Sequence, residues 1–247
     1  MEHFKIGDIL LSLTSETIFL LLGIIATFLG RFLFIILPSK KLWDFAEPDK
    51  VLICVATIKT NTGEYIRPST GIGEVRALAY IIASLSIGYK KINFKKILLS
   101  EEGLRHDIED DIILLGGPKN NQITKLFFEK IKDLNLLYQD EDGTITINKN
   151  TVQKVPIKDN KVSKDYGLIV KMKNPFASTH KNTKLFLFSG HHTYGLIAAT
   201  KYFCESIYKD KEIKLKRKDN IAVLVSCDVC DGYPFSIKRE AYIKFKV

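Results

Sequence analysis

Two glycine-containing stretches carry the residues with the clearest potential for chemistry. The first, Gly116-Gly117-Pro118-Lys119-Asn120-Asn121, directly follows the apolar run Asp111–Leu115. Glycines leave backbone N–H groups open to close approach, while a lysine and two amide side chains add a positive charge and hydrogen-bond donors. This pattern is typical of an anion-binding loop. The predicted ligand contacts are Gly116, Gly117, Lys119, Asn120 and Asn121. The alternative is a tight turn in which Asn121 only caps the following helix.

The second stretch, Gly190-His191-His192-Thr193-Tyr194-Gly195, follows the apolar run Lys184–Ser189 and contains two of the five histidines. Histidine titrates near neutral pH and can act as a general acid or base. Neighbouring side chains of an extended loop point apart, so we expect one of the two histidines to face a ligand. The predicted catalytic residues here are His191 and His192, and the predicted ligand contacts are Gly190, Thr193 and Gly195. The alternative is a pair of exposed histidines with Thr193 as a helix cap.

A third loop, Ser69–Glu74, also precedes a predicted helix. Glu74 is the third predicted catalytic residue, as the carboxylate partner of a loop histidine, and Asp111 is the other carboxylate that could take this role. The Gly71-Ile72-Gly73 pattern lacks the last glycine of a dinucleotide-binding fingerprint. Because the chain also lacks a Walker lysine pattern, a nucleophile elbow and a His-Glu-x-x-His motif, the sequence leaves the cofactor unknown.

The cysteines and the acidic stretch 107–111 do not predict a metal site. Cys227 and Cys230 have the spacing of a zinc-ligand pair, but a structural zinc site needs four ligands and a second pair is missing. Grouped carboxylates such as those of 107–111 are more often solvated helix ends or loops. Cys54 and Cys204 fall in apolar segments, where a reduced cysteine is a small core residue, and this favours a reducing compartment.

The loops lie between segments with the pattern of buried strands and segments with helical periodicity. The predicted strands are Val51–Ile58, Ile97–Ser100, Asp111–Leu115, Lys184–Ser189, Ile221–Ser226 and, alternating more loosely, Phe235–Phe245. The predicted helices are Gly71–Ile87, a helix after Asn121, and a helix from Leu196 to about Tyr208. This repetition predicts a Rossmann-like α/β fold with a mixed, mainly parallel sheet of six or seven strands and helices on both faces.

Two further expectations concern a shared pocket and a β-hairpin. The carboxyl ends of parallel strands meet at one edge of a sheet, so the loops 116–121 and 190–195 should share one pocket. Asp142-Gly143 lies between the runs LLYQ and TITI and predicts a β-hairpin, which we expect to decorate the edge of the sheet.

Residues 17–38, TIFLLLGIIATFLGRFLFIILP, contain a single charged residue, Arg31. The segment is about as long as a hydrocarbon core is thick, and its apolar residues surround a helical projection, which fits poorly with a helix lying in the membrane plane. The alternatives are a cleaved signal peptide and a buried core helix, but the segment lacks the basic start and the Ala-x-Ala cleavage site of a signal peptide. We therefore expect residues 1–42 to be a retained single-pass anchor and residues 43–247 to form the α/β domain.

The basic residues predict the orientation of this anchor and a class of ligand. Lys5 alone precedes the span, whereas Lys40, Lys41 and Lys50 follow it, so the domain should face the cytoplasm. Lys and Arg exceed Asp and Glu by 37 to 28, a surplus that suits phosphate-bearing ligands, anionic lipid or nucleic acid. The one dense basic run, 214–218, lacks interleaved aromatic residues, so nucleic acid is not expected as a partner.

Three phrases, DDIILLGGPKNNQIT, VKMKNPF and LFLFSGHHTYGLIAA, together resemble a group of prokaryotic, membrane-anchored Rossmann-like domains. These domains have a Gly-Gly-Pro-x-Asn turn and a second turn of the form Gly-x-x-x-x-Gly-x-x-Ala-Ala. The resemblance covers roughly residues 110–200 and implies binding of a nucleotide- or nucleoside-like ligand in signalling or defence. The matching positions are Gly116, Gly117, Asn120, Gly190 and Gly195. Leu196 departs from the pattern, which expects a small hydroxylated residue there.

The sequence thus favours a membrane-anchored cytoplasmic sensor or effector module that binds a phosphate-bearing small molecule, and the expected ligand is a nucleotide. One alternative is a nucleoside- or sugar-processing hydrolase or transferase that uses a loop histidine. The other is a non-catalytic protein-binding scaffold. The expected partners are the lipid bilayer, through the N-terminal helix, and a nucleotide-like ligand, while the oligomeric state stays open.

Overall fold

The computed structural model describes residues 6–45, 47–89, 92, 96–104, 106, 108–152, 155, 157, 161–213, 216 and 218–246, and for 6–16 and 34 it describes the backbone alone. The strands are β1 (Leu52–Val55), β2 (Ile58–Asn61), β3 (Ile66–Ser69), β4 (Ile97–Leu99), β5 (Ile112–Leu115), β6 (Leu137–Gln139), β7 (Ile145–Ile147), β8 (Asn150–Val152), β9 (Lys164–Lys173), β10 (Lys184–Gly190), β11 (Asn220–Cys230) and β12 (Tyr233–Phe245). The α-helices are α1 (Ile6–Arg31), α2 (Leu37–Trp43), α3 (Ile72–Gly88), α4 (Ser100–Gly103), α5 (Gln122–Lys130) and α6 (Thr193–Glu205).

The chain is a mixed α/β protein built on a seven-stranded sheet in the order β12-β11-β9-β10-β5-β1-β4. Strands β10, β5, β1 and β4 are parallel to one another. Strand β9 is antiparallel to both β10 and β11, so β11 runs in the same direction as the parallel group. The edge strand β12 is antiparallel to β11. The predicted mixed, mainly parallel sheet is therefore confirmed.

The short parallel strands are apolar along their whole length because both faces of the sheet are covered. All four residues of β1 and all four of β5 are buried. One face packs against α2, α3 and α6, and the other packs against α5 and a separate three-stranded sheet made of β6, β7 and β8. Helices on both faces of the sheet were predicted, and the structure confirms them.

Several predicted elements differ from the observed ones. The Asp142-Gly143 hairpin forms as β6 and β7, with Leu137 opposite Ile147, but it is not an edge decoration of the main sheet, because it pairs with β8 instead. Strand β1 ends at Val55, and Ile58 starts a separate hairpin of β2 and β3 that was not predicted. Strand β9 was also missed. Helix α6 starts three residues before Leu196.

The N-terminal helices form one uninterrupted helical rod. A π-helical turn, Phe32–Ile36, joins α1 to α2, and the Leu37 N–H donates to the carbonyl of Phe32. Pro38 follows this turn and has no N–H to donate, which accounts for a local departure from α-helical bonding. The described side chains of 17–29 are all exposed. In the part of the chain that the structure describes, none of the helices combines the length and the apolar character that a membrane span requires.

Helix α2 ends inside the core of the α/β domain. Trp43 is fully buried, and its ring centroid lies 4.9 Å from that of Phe186 and 5.0 Å from that of Phe203. Its Nε1–H donates to Oγ of Ser84 in α3 at 2.9 Å. Trp43 therefore packs against the domain.

Candidate functional site

Loops at the carboxyl edge of the parallel strands surround one cavity of about 310 Å³, the loop cavity. Its walls are Gly71 and Glu74 at the start of α3, residues 116–120 after β5, residues 190–193 after β10, and residues 139–143 at the β6–β7 turn. The expected meeting of the two glycine loops in one pocket is confirmed. The hairpin forms a fourth wall, which was not expected from the sequence.

Most of the residues predicted as site residues line this cavity. They are Glu74, Gly116, Gly117, Lys119, Asn120, Gly190, His191, His192 and Thr193. The two that lie outside its lining are Asn121 and Gly195, and both are buried. Asp111 lies at the opposite end of β5, where its Oδ1 accepts a hydrogen bond from the backbone N–H of Lys184 at 2.6 Å.

Gly116 and Gly117 have different roles in the first loop. Gly116 has φ of +103°, and a Cβ there would lie 2.5 Å from Cβ of Ala56, so the fold itself needs this glycine. A Cβ on Gly117 would meet only the side chain of Gln139, with Nε2 the nearest atom at 3.3 Å. Gly117 therefore lacks the backbone constraint of Gly116, and the buried Gln139 side chain fills the space beside it.

Asn121 is the N-cap of α5. Its Oδ1 accepts from the backbone N–H of Thr124 at 3.1 Å, and its Nδ2 donates to the carbonyls of Leu115 at 3.0 Å and Cys54 at 3.3 Å. The side chain is fully buried, and its donors and acceptor hold β1, β5 and α5 together. These contacts match the capping alternative for Asn121. Its side-chain amide is occupied within the fold, and Asn121 lies outside the lining of the loop cavity.

The N-terminus of α6 is capped by Asp165, a residue of β9 that the sequence did not point to. Oδ2 of Asp165 accepts from the N–H of Gly195 at 2.6 Å, and Oδ1 accepts from the N–H of His192 at 3.2 Å. Burial raises the pKa of Asp165, and these hydrogen bonds oppose that rise. The carboxylate occupies the place that a ligand phosphate would take at a free helix N-terminus.

Gly195 allows α6 to pack closely on β9. A Cβ at this position would lie 2.0 Å from the carbonyl oxygen of Tyr166, and one on Gly167 would lie 2.1 Å from the carbonyl oxygen of Gly195 itself. This double glycine contact also brings Asp165 within reach of the helix end. Gly195 therefore positions the second loop without lining the cavity.

Glu74 lies at the start of α3, between its own loop and the loop 116–121. Its carboxyl group would be 2.6 Å from a Cβ on Gly71 and 3.7 Å from one on Gly116. Burial raises the pKa of Glu74, and a hydrogen bond from its own backbone N–H opposes the shift. The N-termini of α5 and α6 are thus capped by side chains of the protein, Asn121 and Asp165.

The two histidines are held in different environments. His191 is buried, and its ring centroid lies 5.4 Å from that of Tyr166. His192 is partly exposed, and its Nε2 lies 3.0 Å from the carbonyl oxygen of Val155. Thr193 is the first residue of α6 and not its cap, because His192 occupies the cap position. The Thr193 methyl group instead packs against Gly73.

The cavity lining carries more negative than positive charge. Its carboxylates are Glu74, Asp140, Glu141 and Asp142, and Lys119 is the one lysine or arginine among the lining residues that the structure describes. Glu141 forms an ion pair with Lys125 at 2.7 Å, and Oδ1 of Asp140 accepts from the N–H of Thr144 at 2.8 Å. Among the described residues, no cluster of three or more His, Cys, Asp or Glu is placed to hold a metal ion.

A second cavity of about 530 Å³ lies beside the loop cavity, between α5 and the β6–β7 hairpin. The two share Pro118, Gln139 and Glu141 in their walls. Gln139 bridges the loops from within, because its Nε2 donates to the carbonyl of Gly190 at 3.2 Å and its Oε1 accepts from the Ser189 hydroxyl at 2.6 Å.

No protein-family model, curated protein or solved structure matches the chain.

Proposed function

We propose that the loop cavity binds a nucleotide or nucleoside and that the chain is a membrane-anchored cytoplasmic sensor or effector with a Rossmann-like domain. The observation that carries this proposal is the convergence of three strand-to-helix loops and a hairpin turn on one cavity at the carboxyl edge of the sheet. In open α/β sheets this edge is where small ligands bind. A volume of about 310 Å³ lies at the low end of the range for small-molecule sites.

The charges of the lining suggest how such a ligand lies. Carboxylates accept hydrogen bonds from hydroxyl groups, so Glu74 and Asp142 suit the ribose of a nucleoside. A phosphate inside this acidic lining would be repelled, and the capped helix ends offer it few free N–H groups. We therefore place the phosphate at Lys119, on the exposed side of the first loop.

A hydrolase or transferase is the second candidate, and Glu74 is the observation that favours it. Burial raises the pKa of this carboxyl group above its ordinary value, and a carboxyl group so shifted at the wall of a cavity is a candidate general acid or base. The histidines favour this candidate less, since Nε2 of His192 contacts a backbone carbonyl and His191 is packed against Tyr166. If the protein is an enzyme, Glu74 is the residue that we expect to act as general acid or base.

The anchor is part of the same proposal. Large apolar side chains such as Phe19, Leu22 and Phe28 are more than half exposed along α1, a costly arrangement in water. Lys40 and Lys41 follow them at the C-terminal end of the rod, which favours a cytoplasmic domain. Membrane fractionation of the full chain tests this step, since extraction by salt or alkali without detergent would refute it.

Thermal shift of the detergent-purified full chain tests binding. Adenosine, AMP, ATP, ribose 5-phosphate and inorganic phosphate are compared, and at saturation we expect a clear rise in Tm with nucleosides and nucleotides. Lys119→Gln should weaken binding of AMP and leave adenosine unaffected, and Lys59→Gln, which removes an exposed lysine outside the lining, is the matched control. Product formation during the assay would favour the enzyme. If none of these compounds raises Tm, both the nucleotide-binding sensor and the enzyme are refuted, and the protein-binding scaffold is favoured.

A further inference from the structure

A second cleft lies where the N-terminal helical rod meets the domain. This basal cleft, of about 360 Å³, has Pro38, Lys41 and Leu42 of the rod on one side and Tyr208, Asp210 and Lys211 on the other. The two lysines come from segments 170 residues apart in the sequence, so only the fold brings them together. Both side chains are exposed.

The basal cleft lies at the end of the domain opposite to the loop cavity. Helices α3 and α6 start at the loop cavity, with Glu74 and Thr193, and end beside α2. The Ser39 hydroxyl of α2 donates to the carbonyl of Ser84 at 2.9 Å, in the last turns of α3. Helix α6 alone separates the two ends by about 20 Å. The cleft therefore opens where the exposed apolar rod enters the domain.

The acidic groups near the cleft are already engaged. The Asp210 carboxylate accepts from the Tyr202 hydroxyl at 2.6 Å and from Nε of Arg239 at 2.8 Å. The neighbouring Glu212 also pairs with Arg239. The ion pairs found among the described residues do not include Lys41 or Lys211. The charge of these two lysines is thus directed at the cleft and the solvent. Lys40 precedes Lys41 directly, and Lys209 lies two residues before Lys211.

We propose that the basal cleft binds the phosphate headgroup of an anionic phospholipid in the bilayer that the rod enters. The proposal rests on the proposed membrane anchoring and adds a lipid preference to it. Two exposed lysines match an anionic headgroup in charge, and the half-exposed Tyr208 and Ile87 beside them suit the interfacial layer of a membrane. A phospholipid fits better than a free phosphate because the cleft is continuous with the apolar rod.

Native mass spectrometry of lipids retained by the full chain tests the proposal. The protein is reconstituted into nanodiscs of phosphatidylcholine and phosphatidylglycerol, and the retained lipid is counted after gentle release. Wild type should retain phosphatidylglycerol in excess of its share. Lys41→Gln/Lys211→Gln should lower that enrichment by about fivefold for each lysine, the effect of one cation near an anionic membrane surface. The matched control, Lys59→Gln/Lys238→Gln, removes the same charge elsewhere and should keep it.

The outcomes separate this proposal from the membrane anchoring itself. Equal enrichment in the basal variant and wild type would overturn the lipid site while leaving the anchor intact. Failure of wild type to enter nanodiscs would refute the anchor instead. Inorganic phosphate, added at the same concentration as the phosphatidylglycerol, should not displace the lipid. Displacement would show that the cleft is a site for soluble anions, and it would overturn the proposal. An unchanged Tm in both double variants excludes misfolding as the cause of any loss.

Discussion

Glu74 is the side chain whose chemistry the fold alters most clearly at the loop cavity. Two glycines, Gly71 and Gly116, leave room for its carboxyl group, and burial there raises its pKa. A raised pKa means that the ionised form is less stable in the folded protein than in the unfolded chain. The ionised carboxylate therefore destabilises the fold at any pH above its folded pKa, and this effect fades as the pH falls through that value.

Replacing Glu74 by Gln tests this effect. The variant should have a higher Tm than wild type at about pH 8, by roughly 2–4 °C for an effect on the order of 1 kcal/mol. The gain should shrink as the pH is lowered, because wild type then becomes protonated. Glu141→Gln is the control, since Lys125 lowers the pKa of Glu141 and no such gain is expected. A gain that does not change with pH would contradict burial as the cause.

Gly116 and Gly117 provide a second test at the residue scale. Gly116→Ala should destabilise the fold by about 1–2 kcal/mol or more, because its φ is +103° and Ala56 leaves no room for a Cβ. Gly117→Val should cost less than Gly116→Ala, because Gly117 has no positive φ and a new side chain there would meet the Gln139 side chain and not the backbone. It would still disturb the hydrogen bonds of Gln139 to Ser189 and Gly190, and it should abolish ligand-induced stabilisation. Denaturant unfolding with and without AMP measures both. Similar unfolding losses in the two variants would contradict their different roles.

Protein side chains cap the helices that surround the loop cavity. Glycine loops that open onto helix N-termini suggest an anion site from the sequence, but Asp165 and Asn121 already accept hydrogen bonds from the first turns of α6 and α5. A capped helix end has little positive potential left for a phosphate. The loops therefore shape a cavity, and its polar side chains set what it can bind.

Asp165→Ala should expose this capping role. Removing the carboxylate leaves the N–H groups of His192 and Gly195 without their acceptor, and we expect a loss of about 1–3 kcal/mol in the free energy of unfolding. Chemical denaturation measures it, with the exposed Asp133→Ala as the control. A loss no larger than that of the control would show that α6 does not depend on this cap.

Some elements could be predicted from the sequence because their signals are local. The apolar runs of β5 and β10 and the Asp142-Gly143 turn indicate their own structure. Strand β9 was missed because Lys171 and Lys173 interrupt its apolar pattern, although Lys171 is buried at the centre of the sheet. Asp165 was missed because it precedes the helix that it caps by about thirty residues, and only tertiary packing joins them.

At the scale of the whole molecule, the rod and the domain are parts of one structure. A boundary after residue 42, as the sequence suggests, cuts through α2, whose Leu42 and Trp43 are both buried. The last turn of the rod therefore belongs to the core of the domain. The basal cleft depends on the same junction, because Pro38, Lys41 and Leu42 form one of its sides.

Truncation at two positions tests this junction. A chain of residues 37–247 should unfold at a higher temperature than one of residues 43–247, because burial of Leu42 alone contributes about 1.5–3 kcal/mol. Both chains should leave the membrane fraction if residues 17–36 hold the anchor. Equal Tm values would show that α2 does not stabilise the domain, and retention of either chain in membranes would contradict the position of the anchor.

The uninterrupted rod determines how the domain could move in a bilayer. Helical residues connect α1 to Trp43 without a flexible linker, and the Trp43 ring packs against Phe186 and Phe203. An anchored domain would therefore not tumble, but would spin about the axis of its own helix and tilt only with it. The mouth of the loop cavity would stay about 20 Å beyond the junction, the length of α6, and turned toward bulk water. Ligand would arrive by three-dimensional diffusion, whereas any protein that senses its occupancy would meet it at one fixed height above the lipid.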